Sequence, residues 1–250
     1  MSETADGVGE SLVSHLLELR SRLLRSVLVI VLVFLALMPF ADTLYSWLAA
    51  PLLRHLPKGG HLIAIEVTST FFVPMKLAFF TALMLAMPYV LYQLWAFVAP
   101  GLYQQEKRLA RPILVAATVL FYAGCAFIYF LMLPVMFAYL SSTAPAGVTM
   151  MTDIGHYLDF LLVMFLAGGI SFEVPVAVMI AVILGWVTPQ QLSQWRGYVI
   201  VGIFIIAAVI TPPDGLSQLM LALPMCLLYE VGLLFARLLR KPAERDPVAQ

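Results

Sequence analysis

An all-α membrane protein with six transmembrane helices is the fold class this sequence predicts, on three observations. The 250-residue chain is 62% hydrophobic and 11% charged, with a mean hydropathy of +0.98. Soluble domains carry roughly a quarter charged residues, so a soluble globule is excluded. The apolar residues gather into six runs separated by short polar stretches. The basic residues sort between those runs with a strong bias, which predicts an orientation.

The first ten residues, MSETADGVGE, are acidic and lack the basic stretch before an apolar core that marks a cleavable signal peptide. Next comes SLVSHLLELRSRLLR, Ser11–Arg25. Leu12, Leu16, Leu19 and Leu23 recur at three- and four-residue steps, with Glu18, Arg22 and Arg25 on the other face. That pattern predicts an amphipathic helix at the cytoplasmic membrane surface, leading into span one. Glu18 has two readings on this pattern: an i,i+4 partner of Arg22, or the receiver of a cationic ligand.

The six segments are Ser26–Leu44, Met75–Ala99, Pro112–Leu140, Phe160–Gly185, Tyr198–Ile210 and Leu216–Ala236. At 1.5 Å per residue, all but the fifth are long enough for ~30 Å of hydrocarbon. The fifth has about 13 residues and rises only ~20 Å, short of a full bilayer. Thr211, Pro212, Pro213, Asp214 and Gly215 predict a tight hairpin into segment six. Two longer connections, Tyr45–Pro74 and Ser141–Tyr157, lie on the outer side. Leu44, Trp47, Leu48 and Leu52 have helical spacing and predict a surface helix before a break at Pro57–Gly60.

Arg20, Arg22 and Arg25 precede span one, and Lys107, Arg108 and Arg111 separate spans two and three. Arg196 separates four and five, and Arg237, Arg240, Lys241 and Arg245 follow six. Only Arg54, Lys58 and Lys76 fall on the other side. Basic loops stay cytoplasmic, so both termini are expected inside. The division expected is a cytoplasmic segment 1–25, a six-helix domain 26–236 and a basic tail 237–250.

Glu173 is the only charged residue between Phe160 and Val187. A carboxylate at such depth costs at least ~2.5 kcal/mol on insertion scales and is a functional candidate by default. Pro175 follows it and is expected to bend the helix. In the loop APGLYQQEKRLARP, Glu106 sits among Lys107, Arg108 and Arg111; it reads either as a lone counter-charge or as a carboxylate held in place by the stiff Pro100–Gly101 entrance. Gln93, Thr211, Asp214 and Gln218 are further polar residues in or beside the spans. Asp214, after a double proline, reads as a turn or cap residue, and Glu230 as a snorkelling side chain or a partner of Arg237.

No HExxH, GxSxG or P-loop pattern is present, so neither hydrolysis nor nucleotide binding is expected. His15, His55, His61 and His156 are scattered, and no metal or cofactor is expected. Cys125 and Cys226 lie inside apolar runs, where a structural disulfide is not expected. Zero net charge gives no reason to expect nucleic acid.

The segments SHLLELRSRLL, YQLWAFVAPGLYQQEKR, FYAGCAFIYFLMLPVMFAYL, SFEVPVA and ITPPDGLSQ, taken together and in order, closely resemble the TatC family. Its members are membrane-embedded receptors of twin-arginine protein export. The resemblance runs from about Ser14 to Ala236. It implies a bacterial cytoplasmic (inner) membrane location, a curved glove-like helix arrangement with short helices five and six, and transport driven by the proton motive force without nucleotide hydrolysis. It implies binding of twin-arginine signal peptides of folded precursors, work with the single-span subunits TatB and TatA, contact with membrane lipid, and self-association within the receptor complex.

By motif, the resemblance places signal-peptide recognition at Glu18 and Glu106, with Arg20 and Phe97 beside them. Two guanidinium groups suit two carboxylates, because such pairs are bidentate and geometrically selective, and lysine has no equivalent fork. Glu173 matches an intramembrane glutamate of the family, with three competing roles: docking a partner helix, keeping a hydrated notch, or transferring a proton. Gln218 and Asp214 are grouped with it as intramembrane polar residues. The alternative reading is a proton-coupled small-molecule transporter using Glu173, which leaves Glu18 and Glu106 without a purpose.

Overall fold

The computed structural model describes residues 3–47, 62–98, 110–143, 152–212 and 214–239. In chain order its elements are α1 Glu3–Leu37, β1 Leu62–Ile63, α2 Ser69–Val98, α3 Ala110–Phe127, α4 Leu133–Thr143, β2 Thr152–Asp153, α5 Ile154–Phe172, α6 Val174–Ile183, α7 Pro189–Gln194, α8 Arg196–Ile210 and α9 Gly215–Leu239. The expected break at Pro57–Gly60, the Glu106 loop and the basic tail beyond Leu239 lie outside the described residues.

Among the described residues, five helical stretches are long and apolar enough to cross a membrane: His15–Trp47, Ser69–Phe97, Arg111–Leu140, Ile154–Ile183 and Gly215–Leu238. The remaining expected segment is α8, an apolar helix of 15 residues. Its rise of ~22 Å is still short of the hydrocarbon thickness.

The chain divides into two compact units. The first comprises 1–54, 61–114 and 151–158. Here α1 passes from the amphipathic stretch into the apolar stretch without a break at residue 25, because neither Gly nor Pro occurs between Leu16 and Leu37. Pro39 then imposes a 3-10 turn, Met38–Phe40, where its missing N–H cannot continue the α-ladder. Leu16, Leu17, Leu24, Leu28, Leu32 and Leu35 stay exposed along α1, as lipid-facing side chains do. The helix packs on α2, with Phe34 edge-on to Phe79 at 5.8 Å. On α2, Ala78, Ala82 and Ala86 recur at four-residue steps and are buried, which leaves a smooth face for close packing.

The two outer connections meet in a short parallel pair, Leu62 opposite Thr152 and Ile63 opposite Asp153. Asp153 ties this pair to α5. Its Oδ1 accepts from the Ile65 N–H at 3.1 Å, and its Oδ2 from the N–H groups of Gly155 and His156 at 3.1 and 3.0 Å. The carboxylate therefore caps α5, which starts at Ile154, ahead of the apolar run expected from Phe160.

Donation by the His156 and Ile65 N–H groups holds the Asp153 carboxyl below its ordinary range. A depressed folded pKa means that the unfolded chain binds more protons in that window, so stability rises with pH there. The contribution is complete above the ordinary aspartate range, near ~4, and fades as pH falls through the depressed value. Asp153→Ala is therefore expected to lower the thermal midpoint at neutral pH. Its deficit relative to wild type should shrink below about pH 4. Melting both proteins across a pH series checks this, and a deficit that grows in acid would contradict it.

The second unit comprises 55–60, 115–150 and 159–250. Between α3 and α4 lies a π-turn, Ile128–Met132. It widens the helix just before Pro134, whose ring would otherwise crowd the carbonyl four residues back. The core includes the fully buried Phe121, Ile128, Met132, Leu133, Met136, Leu161 and Met164. A second cluster joins Val178, Leu192, Tyr229, Leu233 and Ala236, with the Tyr229 hydroxyl donating to the Leu192 carbonyl at 2.8 Å.

The turn after α6 uses Gly185 at φ 73°. It leads into α7 through a capping box: Thr188 Oγ1 accepts from Gln191 N–H, and Gln191 Oε1 from Thr188 N–H. Glu230 pairs with Arg196 at 2.7 Å rather than with Arg237 on its own helix. The hairpin between α8 and α9 brings the start of α8 beside the end of α9, and a cross-helix partner wins.

Candidate functional site

The first site lies in the first unit, where α1 meets the C-terminal half of α2. Arg22 Nη2 and Nε both donate to Glu18 Oε1, at 2.6 and 3.0 Å. Both bonds land on one oxygen, which leaves Oε2 outside the pair. The third arm, Nη1, reaches across to Gln93 Oε1 on α2 at 3.3 Å. Gln93, only 5% exposed, donates in turn to the Tyr89 hydroxyl at 2.6 Å. Ser26 Oγ closes the local set on the Arg22 carbonyl at 3.1 Å. Glu18 and Arg22 side chains are 36% and 22% exposed, so the pair is partly shielded from water, and its strength exceeds that of a fully solvated i,i+4 pair.

Phe97 belongs to the same end of the unit. Its ring stacks on His15 at 4.2 Å and 17°, and His15 lies about one helical turn before Glu18. Carboxylate, imidazole and aromatic ring thus share one rim. Arg20 is exposed; two residues from Glu18, it points to another side of the helix. Glu106 lies outside the described residues. Of the four expected recognition residues, the fold brings Glu18 and Phe97 together. The Arg22–Gln93–Tyr89 chain went unforeseen as a unit: the Arg22 spacing was legible, but nothing in the pattern pairs it with Gln93 across two helices.

The second site is in the second unit. Glu173 forms the joint between α5 and α6. Its N–H donates to the Ile170 carbonyl at 3.0 Å, a tightened turn, and its carbonyl accepts from Ala177 at 2.9 Å. Pro175 has no N–H for the Ser171 carbonyl, and the helix axis is interrupted here. Glu173 Oε1 is buried without a hydrogen-bond partner among the described residues. Because α5 runs 19 residues before reaching it, Glu173 lies ~28 Å along the helix, beyond the midpoint expected from a run starting at Phe160.

Asp214 and Gln218 do not join it. Asp214 Oδ1 accepts from the Ser217 N–H at 2.7 Å and caps α9, while Gln218 Nε2 donates to the Phe204 carbonyl on α8 at 3.1 Å. Thr211 Oγ1 turns back to the Ala207 carbonyl at 2.8 Å. The point of α9 that meets Pro175 is Gly232, about 14 residues or ~21 Å along the helix from Gln218. The three expected intramembrane polar residues therefore form two separate features.

Among the described residues no group of three His, Cys, Asp or Glu gathers as a metal site. Neither Glu18 nor Glu173 meets a nucleophile. What the rim offers is recognition of a cation, and what the joint offers is one acceptor inside an apolar surface.

Comparison with known proteins bears on the chain as a whole. The model of the family described as Sec-independent protein translocase protein (TatC) matches residues 14–224. The chain is 51% identical over 242 residues to the TatC of Azotobacter chroococcum, covering 96% of this chain and 95% of that one. It is 46% identical over 228 residues to the TatC of Escherichia coli K12, covering 91% and 88%. Against the TatC of Halothiobacillus neapolitanus it is 52% identical over 91% of this chain, but spans only 62% of that longer relative. A crystal structure described as the twin arginine translocase receptor TatC superposes with a TM-score of 0.79 at 34% identity, covering 90% of this chain and 98% of that one.

Proposed function

The chain belongs to the TatC family of Sec-independent protein translocase proteins, and from that premise we propose that it is the receptor for twin-arginine signal peptides of folded precursors. A protein-translocation component of this family is not an enzyme. In the proposed arrangement α8 completes six crossings of the bacterial inner membrane, with both termini cytoplasmic. TatB and TatA assemble with the chain, several copies associate in the receptor complex, and the proton motive force drives export.

The observation that carries the reading is the rim: Glu18, held on α1 by Arg22 through one oxygen, beside the Phe97–His15 stack. Glu106, from the LYQQEKR motif, supplies the second carboxylate for the second guanidinium. Arg20, beside them, repels a cationic ligand, so the carboxylates have to be held forward. An exposed ion pair contributes only ~0–1 kcal/mol, so packing of the signal peptide's apolar stretch against exposed side chains such as Leu16 and Leu94 supplies much of the affinity. A proton-coupled transporter working through Glu173 is not favoured, because it gives this rim nothing to do.

The test is photo-crosslinking of an arginine-pair signal peptide to wild type, Glu18→Ala and Glu106→Ala in native membranes. Loss of most crosslinked product in each variant, with unchanged protein levels, is expected. Undiminished crosslinking in both would overturn the reading.

A further inference from the structure

We infer that Arg22 is an internal competitor for the Glu18 carboxylate, a built-in guanidinium that an incoming cation must displace. The inference rests on the receptor reading above and adds a residue to it. Three donors of Arg22 are committed: Nε and Nη2 to Glu18 Oε1 and Nη1 to Gln93. Gln93 is itself oriented by Tyr89. The guanidinium is therefore held from two helices, α1 and α2, in one plane.

The ligand's chemistry is the same as that of the group already present. A guanidinium from outside is able to take over the two-donor contact on Glu18 that Arg22 gives up, and Arg22 keeps its tie to Gln93. The exchange trades like for like. A lysine ammonium is a compact point charge without a planar fork, so it breaks a two-donor contact and returns a single one. Displacing Arg22 costs either cation the same, so the resident arginine lowers both affinities by one common factor. Without Arg22, Glu18 is an open carboxylate that accepts either cation.

The experiment uses the full chain in phospholipid nanodiscs. Two fluorescent synthetic peptides carry an apolar stretch behind either an arginine pair or a lysine pair, and fluorescence anisotropy gives their affinities. Arg22→Gln is expected to tighten both peptides by about five-fold, with their ratio unchanged. Gln93→Met, which removes only the α2 tether, should tighten both by a smaller factor, and provides the reading if Arg22→Gln does not fold. Unchanged or weaker binding of both peptides in both variants overturns the competitor role. Glu18→Gln separates the two levels. If it weakens the arginine peptide while Arg22→Gln leaves both affinities unchanged, only the competitor role fails. If it weakens neither peptide, the receptor reading fails and the competitor role with it.

Discussion

Gly168→Leu and Gly124→Leu are expected to remove folded protein from the membrane almost completely. A Cβ placed on Gly168 collides with the Ile128 side chain and meets the Gly124 carbonyl oxygen at 3.0 Å, while one on Gly124 collides with the Gly168 carbonyl. For Gly124 the obstacle is the Gly168 backbone, which no rotamer relieves, and for Gly168 it is the buried Ile128 side chain with the Gly124 carbonyl behind it, so α3 and α5 must separate. Association of helices in lipid depends on such close approach, since the hydrophobic effect does not drive it. Overpacking of this kind costs about 3 kcal/mol or more. Gly232→Leu should behave similarly, because its Cβ would lie 2.7 Å from Pro175 Cα. Gly202 supplies the control: on α8, nothing lies within 4 Å of an added Cβ, and Gly202→Leu should accumulate normally. Fluorescence-detected size-exclusion of detergent extracts reads the comparison. Normal peaks for Gly168→Leu and Gly124→Leu would mean that these helices are not packed as described.

Much of this architecture was legible because apolar runs and prolines act locally. The six segments all correspond to helices, Pro175 marks an interrupted helix as expected, and the short fifth segment stays short at 15 residues. Boundaries were harder to read where a polar side chain serves the backbone. Asp153 and His156 look like loop residues, yet the Asp153 carboxylate caps α5 and draws its start to Ile154. That moves Glu173 further along its helix. Partners across helices were not legible at all: Glu230 was paired with Arg237 by spacing, and the fold gives it Arg196. The same holds for Gln93, whose role depends on Arg22 being 71 residues away in sequence and adjacent in space. For Glu18, spacing offered two readings, and the geometry shows the first, the pair with Arg22; on the proposed reading a cationic ligand reaches the carboxylate by displacing that pair.

Replacing Glu173 by leucine is expected to stabilise the isolated chain and to abolish export. Oε1 of Glu173 is buried with no hydrogen-bond partner among the described residues, and an unsatisfied buried polar atom costs about 1–3 kcal/mol. Leucine relieves that cost, so the thermal midpoint in detergent should rise. A group that destabilises its own fold is retained where it serves something else. On the proposed reading, that something is a polar side chain of a single-span partner helix, which the joint at Glu173 receives. A membrane hydrogen bond of this kind is modest, so co-purification of the partner should fall by about three- to ten-fold in Glu173→Leu. Glu173→Gln keeps both the polarity and the length, and should keep both the partner and export of a folded precursor. The pair of variants separates the three roles left open by the sequence. Export lost in Glu173→Gln would point to proton transfer. Export kept in Glu173→Leu would leave the carboxylate without a role in transport. Partner binding kept while export is lost in Glu173→Leu would favour a hydrated notch over docking. The expected combination, a more stable chain that no longer holds its partner, is one that a purely structural glutamate has no means to produce.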